Sequence, residues 1–308
     1  MEEPPLNETV AGPGATKRCE YCGKDNAEAA VVCDGCSTPF PPPVLSVPEA
    51  PITGICQPEV PQLNARSATA IFLLSFAAQF GAAFVVGLGV GFLGALHGGA
   101  SRSQTHSELA QTVMPLAALA AMLGMGATVL AASIPRFGAN LKDASPTGAA
   151  WVVGSAKDIV KGAGLGVVCV IAFFAVASLP FFRTTNVSPG PLTKMSMTPG
   201  IPQIAWVILA TLLAPPIEEL LFRGVMYGGY RRSFGPRRAA ILVTLIFCAM
   251  HVTEVIHSPI ALFGIGSMAC AALWMRLRAG AIGPAVAVHF SYNSIIAVLQ
   301  VIASMNGS

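Results

Sequence analysis

The chain has 308 residues, 54% hydrophobic and 11% charged, with 18 Lys and Arg against 15 Asp and Glu and a mean hydropathy of +0.65. Soluble domains carry about 25% charged residues, so the composition excludes an ordinary soluble enzyme and a disordered chain. A net charge of +3 gives no basic footprint for nucleic acid. The 31 glycines and many alanines are small residues of the kind that let helix backbones approach in lipid. The expected class is an all-α polytopic membrane protein of about seven or eight transmembrane helices, preceded by a small zinc ribbon.

In chain order, residues 1–66 are polar, rich in Pro, and hold five of the eight Cys. Met1-Glu2-Glu3-Pro4-Pro5 is acidic and has no apolar h-region, so the segment is expected to stay on the side where it is made. Residues 1–17 read as a disordered tail and 18–38 as a ribbon. Cys19-Glu20-Tyr21-Cys22 and Cys33-Asp34-Gly35-Cys36 are two CxxC knuckles, whose spacing lets four thiolates reach one tetrahedral zinc. Some 20 residues build no adequate core, so the metal would hold the fold. A pair of disulfides is the competing reading and needs an oxidising compartment. Four Cys ligands leave no open coordination position, which makes the site structural. Residues 39–66 hold eight prolines between Pro39 and Pro61 and read as a semi-rigid spacer rather than a docking site.

The remainder, 67–308, is a membrane domain. A span needs about 20 apolar residues. The candidates are Ser67–Leu96, Leu109–Ile134, Gly162–Phe182, Ile201–Ala214 continuing toward Tyr230, Ala239–His257, Ser258–Leu277 and Ala281–Met305. The stretch from Arg136 to Lys161 is partly amphipathic and suits the interface. With the N-terminus cytoplasmic, seven spans place 14 Lys and Arg inside and three outside (Arg102, Arg183 and Lys194), with Arg223 left within a span. The expected location is a cell (inner) membrane.

Ionisable residues within spans mark functional sites by default. Glu218, Glu219 and Arg223 follow Pro215 and Pro216, which are expected to interrupt the helix and begin a new segment whose free N–H groups favour anions. Glu219 and Arg223 share a face and can pair, whereas Glu218 points about 100° away. Phe247 and His251 share a face of the next span, and His289 and Asn293 a face of the last. The set can position a water for a Glu base, with His and Asn polarising a carbonyl. Glu218, His251 and His289 equally suit a catalytic divalent metal with an open position, and a buried ion network tying helices together is the non-catalytic alternative.

Glu218-Glu219-x-x-x-Arg223, Phe247-x-x-x-His251 and His289-x-x-x-Asn293 resemble, in order and separation, the three signature motifs of the CPBP family, also called Abi. That family comprises type II CAAX prenyl endopeptidases and bacteriocin-processing and immunity proteins, and the resemblance covers 201–305. It implies an intramembrane protease, metallo- or glutamate-type. In that pattern Glu218 activates water with help from His251, His289 and Asn293 stabilise the oxyanion, and Glu219 and Arg223 hold the first motif in shape. Substrates would be a membrane protein or a lipidated or peptide chain in the bilayer, with the ribbon recruiting a cytoplasmic partner. Glu254, three residues past His251, is within reach of the site by that spacing, but the favoured expectation puts it at an outer span end without a role. The rival from another class is a noncatalytic scaffold, immunity or transport protein. Transport predicts internal repeats, and none relates 67–190 to 200–308. A third reading makes the ribbon the functional end and the membrane domain its anchor.

Overall fold

A computed structural model describes residues 16–40, 62–96, 102–183 and 190–306. The first 15 residues of the expected tail, most of the Pro-rich spacer with Cys56, and His97 lie outside the described residues, as do the side chain of His106 and the Asn186-Val187-Ser188 sequon. The chain divides into two compact units, Met1–Glu59 and Val60–Ser308.

The first unit is two hairpins, each closing on a knuckle. Strands β1 (Thr16–Arg18) and β2 (Asp25–Ala27) pair antiparallel, Lys17 opposite Asn26. The turn between them runs through Cys19 and Cys22 and is tied by Cys19 N–H to Lys24 O at 2.8 Å and Gly23 N–H to Cys19 O at 2.8 Å. Gly23 makes the turn possible because its φ of +77° is left-handed. The second hairpin is a single bridge between Val32 and Pro39 and repeats the geometry, with Cys33 N–H bonded to Thr38 O and Ser37 N–H to Cys33 O. Among the unit's described residues only Cys19, Asn26 and Cys33 are buried. A core made of sulfur and one amide has too little apolar area to fold on burial alone.

The second unit is helical. Helices α1 (Ala65–Leu96) and α2 (Arg102–Phe137) form an antiparallel pair. A 3₁₀ turn (Gly138–Lys142) and an irregular loop lead to α3 (Ala156–Ala177), capped by Ser155 Oγ accepting from Asp158 N–H at 3.1 Å. The expected interfacial stretch from Arg136 to Lys161 is thus mostly this loop. Short helices α4 (Pro180–Arg183) and α5 (Pro191–Met197) precede the long helix α6 (Ile201–Phe234). Then come α7 (Pro236–Met250), α8 (Val252–His257), α9 (Ala261–Ala279) and α10 (Gly283–Asn306).

Five of these are long and apolar enough to cross a bilayer: Ala65–Leu93, Val113–Phe137, Ala156–Ala177, Ile201–Phe234 and Gly283–Asn306. The expected span Ala239–His257 is instead two helices. His251, at φ −101° and ψ 17°, leaves helical geometry and ends α7. Fifteen residues of α7 reach about 22 Å at 1.5 Å each, short of a hydrocarbon core of about 30 Å. Helix α9 has 19 residues but carries Arg276 and Arg278 in its last turn. Side chains along α1, including Phe80, Phe84, Leu88 and Phe92, are more than half exposed. An apolar face of that extent is at home in lipid rather than in water, and the protein is an integral membrane protein.

Helices α3 and α10 pack closely. A Cβ on Gly162 would lie 2.3 Å from Pro284 O, and one on Gly166 would lie 2.0 Å from Ser291 Oγ and 2.3 Å from Val288 O. This small-xxx-small face brings the backbones together as in membrane helix pairs, and Ser291 Oγ donates across it to Ala163 O at 2.9 Å. The loop below is pinned by Arg276, which is 1% exposed and donates to Ser145 O (3.3 Å) and Gly148 O. Arg276 is therefore an internal anchor.

Helix α6 carries the first motif and departs most from expectation. Pro215 and Pro216 do not break it. The helix runs unbroken from Ile201 to Phe234 and widens to π geometry over Ile208–Leu213 and again over Leu220–Met226. In the wider turn Ala214 N–H bonds to Leu209 O, five residues back. The next carbonyl, Ala210 O, would take its partner from residue 215, a proline without N–H. Asn293 of α10 supplies the missing donor, Nδ2 to Ala210 O at 2.8 Å. In the second π segment Trp151 Nε1 donates to Leu220 O at 3.3 Å. Single-turn π widenings of this kind are common at functional sites.

Candidate active site and metal centre

Helix α6 places its two carboxylates in different environments. Glu219 is 0% exposed. Its Oε1 accepts from Arg223 Nη1 at 3.0 Å, one turn on, and from His289 Nδ1 at 2.9 Å, across on α10. Arg223, itself 1% exposed, also donates to Ala269 O of α9 at 3.2 Å. Its guanidinium lies 4.2 Å from the centre of the Phe247 ring, a cation–π contact. Phe247 in turn meets Phe222, His251 and His289 at centroid distances of 5.1, 4.8 and 6.0 Å. Four helices thus converge on one ion pair.

Glu218 points elsewhere. It lines a cavity of about 680 Å³, together with His251, His289 and Asn293. Its side chain is 12% exposed, and Oε2 stands 3.9 Å from His289 Nε2, too far for a direct hydrogen bond. Oε2 has no hydrogen-bond partner among the described residues. Because a carboxylate only accepts, His289 carries its proton on Nδ1, held by Glu219, and turns Nε2 toward Glu218 and the cavity. This is the carboxylate-oriented imidazole that fixes a tautomer in acid–base sites. His251 is held similarly: Nδ1 donates to Phe247 O at 2.9 Å, which leaves Nε2 as an acceptor. Its place at the α7 terminus frees the ring from the helix surface.

The six residues expected from the motifs fall into two groups. Glu219 and Arg223 line neither the main cavity nor the smaller one beside it, whereas Glu218, His251, His289 and Asn293 reach the main one. Asn293 gives one amide N–H to Ala210 O, a tie invisible in the motif spacing. One residue given no role also reaches the cavity. Glu254 of α8 lines both cavities and accepts from Thr193 Oγ1 at 3.0 Å. The helix breaks at His251, and α8 packs beside α5. The signal available in sequence was the i,i+3 spacing from His251, which matters only once that break is known.

The four-Cys cluster is the candidate metal site. Its sulfurs all lie within 4.8 Å of one another, with Cys19–Cys36 at 3.6 Å and Cys22–Cys33 at 3.5 Å. Tetrahedral zinc with bonds of about 2.3 Å sets its sulfurs about 3.8 Å apart, so the donors fit the ion. Gly35 N–H and Asn26 Nδ2 point at Cys33 Sγ from 3.4 and 3.5 Å, supporting thiolate charge as outer-shell donors do. Burial opposes ionisation of Cys33, but backbone N–H groups of Gly35 and Cys36 and the neighbouring thiols outweigh it and lower the thiol to about 6. Among the described residues this is the one cluster of three or more His, Cys, Asp or Glu gathered closely enough for an ion. The donors of Glu218, His251 and His289 share a cavity wall without closing on one point.

No curated protein and no solved structure matches the chain. Residues 200–295 match the family model described as type II CAAX prenyl endopeptidase Rce1-like. The matched segment contains all three motifs, from Glu218 to Asn293, so about a third of the chain, within the membrane unit, is similar to that family.

Proposed function

We propose that the protein is an intramembrane endopeptidase that hydrolyses a peptide bond of a membrane-associated protein or lipidated peptide, using water activated by Glu218. The observation that carries this reading is the division of labour within the first motif. Glu219 and Arg223 pair with one another and Glu219 orients His289, while Glu218 faces a cavity with its Oε2 lacking a hydrogen-bond partner among the described residues. A water within about 2.8 Å of both Glu218 Oε2 and His289 Nε2 bridges their 3.9 Å separation.

In this mechanism Glu218 takes a proton as the water oxygen adds to the scissile carbonyl carbon. The carbonyl oxygen becomes an oxyanion facing the Asn293 amide, whose second N–H is not used by Ala210. The C–N bond then breaks, and the proton held on Glu218 passes to the leaving amine. His251, on the same wall, assists Glu218 by holding the water. His289, given to the oxyanion by the family pattern, fits better as the group that aims the water. A catalytic divalent metal held by Glu218, His251 and His289 is the alternative use of the same donors, and requires them to converge. The structural zinc would supply the ribbon's core, and the ribbon acts as a cytoplasmic module recruiting a substrate or regulator, with the membrane unit in a cell (inner) membrane.

The noncatalytic scaffold explains Glu219, Arg223 and His289 as an ion network, but gives Glu218 nothing to do. The test is a comparison of membrane proteomes from cells carrying the intact protein or Glu218→Gln. Fragments that vanish in the variant support the reading, and full cleavage by the variant refutes the assignment of the base. Metal content of preparations lacking the ribbon cysteines decides between the water-only and metal-assisted forms.

A further inference from the structure

The cavity has an electrostatic character that the hydrolytic mechanism does not require. Its described lining contains Glu218, Glu254, His251, His257 and His289, and no Lys or Arg among the described residues. Glu254 is the unexplained member. Thr193 Oγ1 of α5 satisfies its Oε2 at 3.0 Å. A Cβ on Gly190 would sit 2.8 Å from the same Oε2, so a bare glycine gives the carboxylate its place. Its Oε1 is shielded from solvent and has no hydrogen-bond partner among the described residues. A buried carboxylate oxygen without a donor is costly, and such groups are retained where something arrives to pair with them. His257, the nearest basic group on α8, is committed through Nδ1 to Thr253 O at 2.7 Å. Lys194 follows Thr193 on α5 and does not line the cavity.

We propose that Glu254 is a specificity-determining carboxylate that receives a basic side chain of the peptide substrate. This rests on the reading of the cavity as a peptide-binding site and names the class of peptide it takes: one with Lys or Arg near the bond to be cut. The same walls work against a substrate held by a free carboxylate, because Glu218 and Glu254 repel it and no described lining cation receives it. A carboxylate built to accept an N–H donor discriminates strongly against a ligand that lacks one.

The experiment uses the full chain in detergent or nanodiscs and three fluorescein-labelled apolar decapeptides that differ at a central Lys, Gln or Glu. Binding is measured in the Glu218→Gln background, where nothing is turned over. The expected order is Lys, then Gln, then Glu, with about 10-fold or more between the first two. Glu254→Gln keeps an acceptor for Thr193, and the added variant is expected to unfold at the same temperature while the Lys–Gln difference collapses to less than about 2-fold. Glu254→Lys reverses the order of the Lys and Glu peptides. Equal binding of the three by the Glu218→Gln protein, or binding of none, overturns the proposal and needs no Glu254 variant. An equal loss for all three peptides in Glu254→Gln also overturns it, since a structural role predicts that. Cleavage of the same peptides by the native protein is a separate arm: binding in the expected order without cleavage sinks the peptidase reading and leaves the role of Glu254 standing.

Discussion

Replacing Arg223 by Met removes the counter-charge of a carboxylate that is 0% exposed. Glu219 Oε1 then keeps only the His289 Nδ1 contact at 2.9 Å, and its Oε2 already lacks a partner among the described residues. Breaking a buried pair in this way costs about 3–5 kcal/mol, mostly as the penalty of the orphaned charge. The Met side chain keeps packing against Phe222 and Phe247 but loses the cation–π contact, worth about 2 kcal/mol when desolvated, which overlaps with the first figure and is not added to it. For a unit of this size the loss corresponds to a fall in Tm of about 6–20 °C. Thermal unfolding in detergent, followed by the fluorescence of Trp151, Trp206 and Trp274, reads it. Glu219→Gln strands the arginine instead and is expected to cost a similar amount. The double variant leaves no buried charge and should therefore be less destabilised than the sum of the singles by about 2 kcal/mol or more. A loss under about 1 kcal/mol for Arg223→Met, or a double variant equal to the sum, refutes the description of this pair as the buried anchor of the site.

Asn293→Ala strands Ala210 O and should destabilise by about 1–3 kcal/mol. Adding Pro215→Ala restores a backbone donor and should return part of that stability. If activity returns with it, Asn293 acts only by mending the helix, and if it does not, the amide has a role in the oxyanion. Gly166→Leu drives a side chain into Ser291 and Val288 and should cost about 1–3 kcal/mol or more and separate α3 from α10, measured as lost Tm and heightened protease sensitivity. His289→Gln should lower turnover about 10²–10⁴-fold in whatever cleavage assay Glu218→Gln abolishes, and an unchanged rate would remove His289 from the reaction. Cys19→Ser, or a strong chelator, should remove one zinc per chain by elemental analysis and unfold the ribbon while leaving the Tm of the membrane unit unchanged. A drop in that Tm would show that the metal holds more than the ribbon.

Several features were legible in the sequence because they depend on spacing alone. The scarcity of charge dictated lipid as solvent, and the five helices long and apolar enough to cross a bilayer answer to runs of apolar residues read directly from the chain. Two CxxC knuckles determined a cluster of four sulfurs able to hold an ion, since two-residue gaps and hairpin turns bring sulfurs together whatever surrounds them. The i,i+4 spacing of Glu219 and Arg223 determined their pairing, and the family motifs nominated the six polar residues. What helix periodicity could not supply is which of those residues share a cavity, because that depends on where helices stop and how their axes cross. The break at His251 turned an expected single span into α7 and α8, and the fold placed Glu254 on the cavity wall. The two prolines read locally as a helix stop. The fold kept the helix whole because a π turn makes room for them and Asn293, 83 residues away, replaces the hydrogen bond that Pro215 forfeits. The reach of Arg276 into the 143–153 loop is of the same kind. Local chemistry determines a residue's charge, spacing and preferred conformation, and only tertiary packing decides which distant donor satisfies a stranded carbonyl. The opening 11% of charged residues therefore set the medium and the topology signals, while the fold decided that Glu219, Arg223 and Arg276 hold the structure and that Glu218 and Glu254 are left facing the cavity.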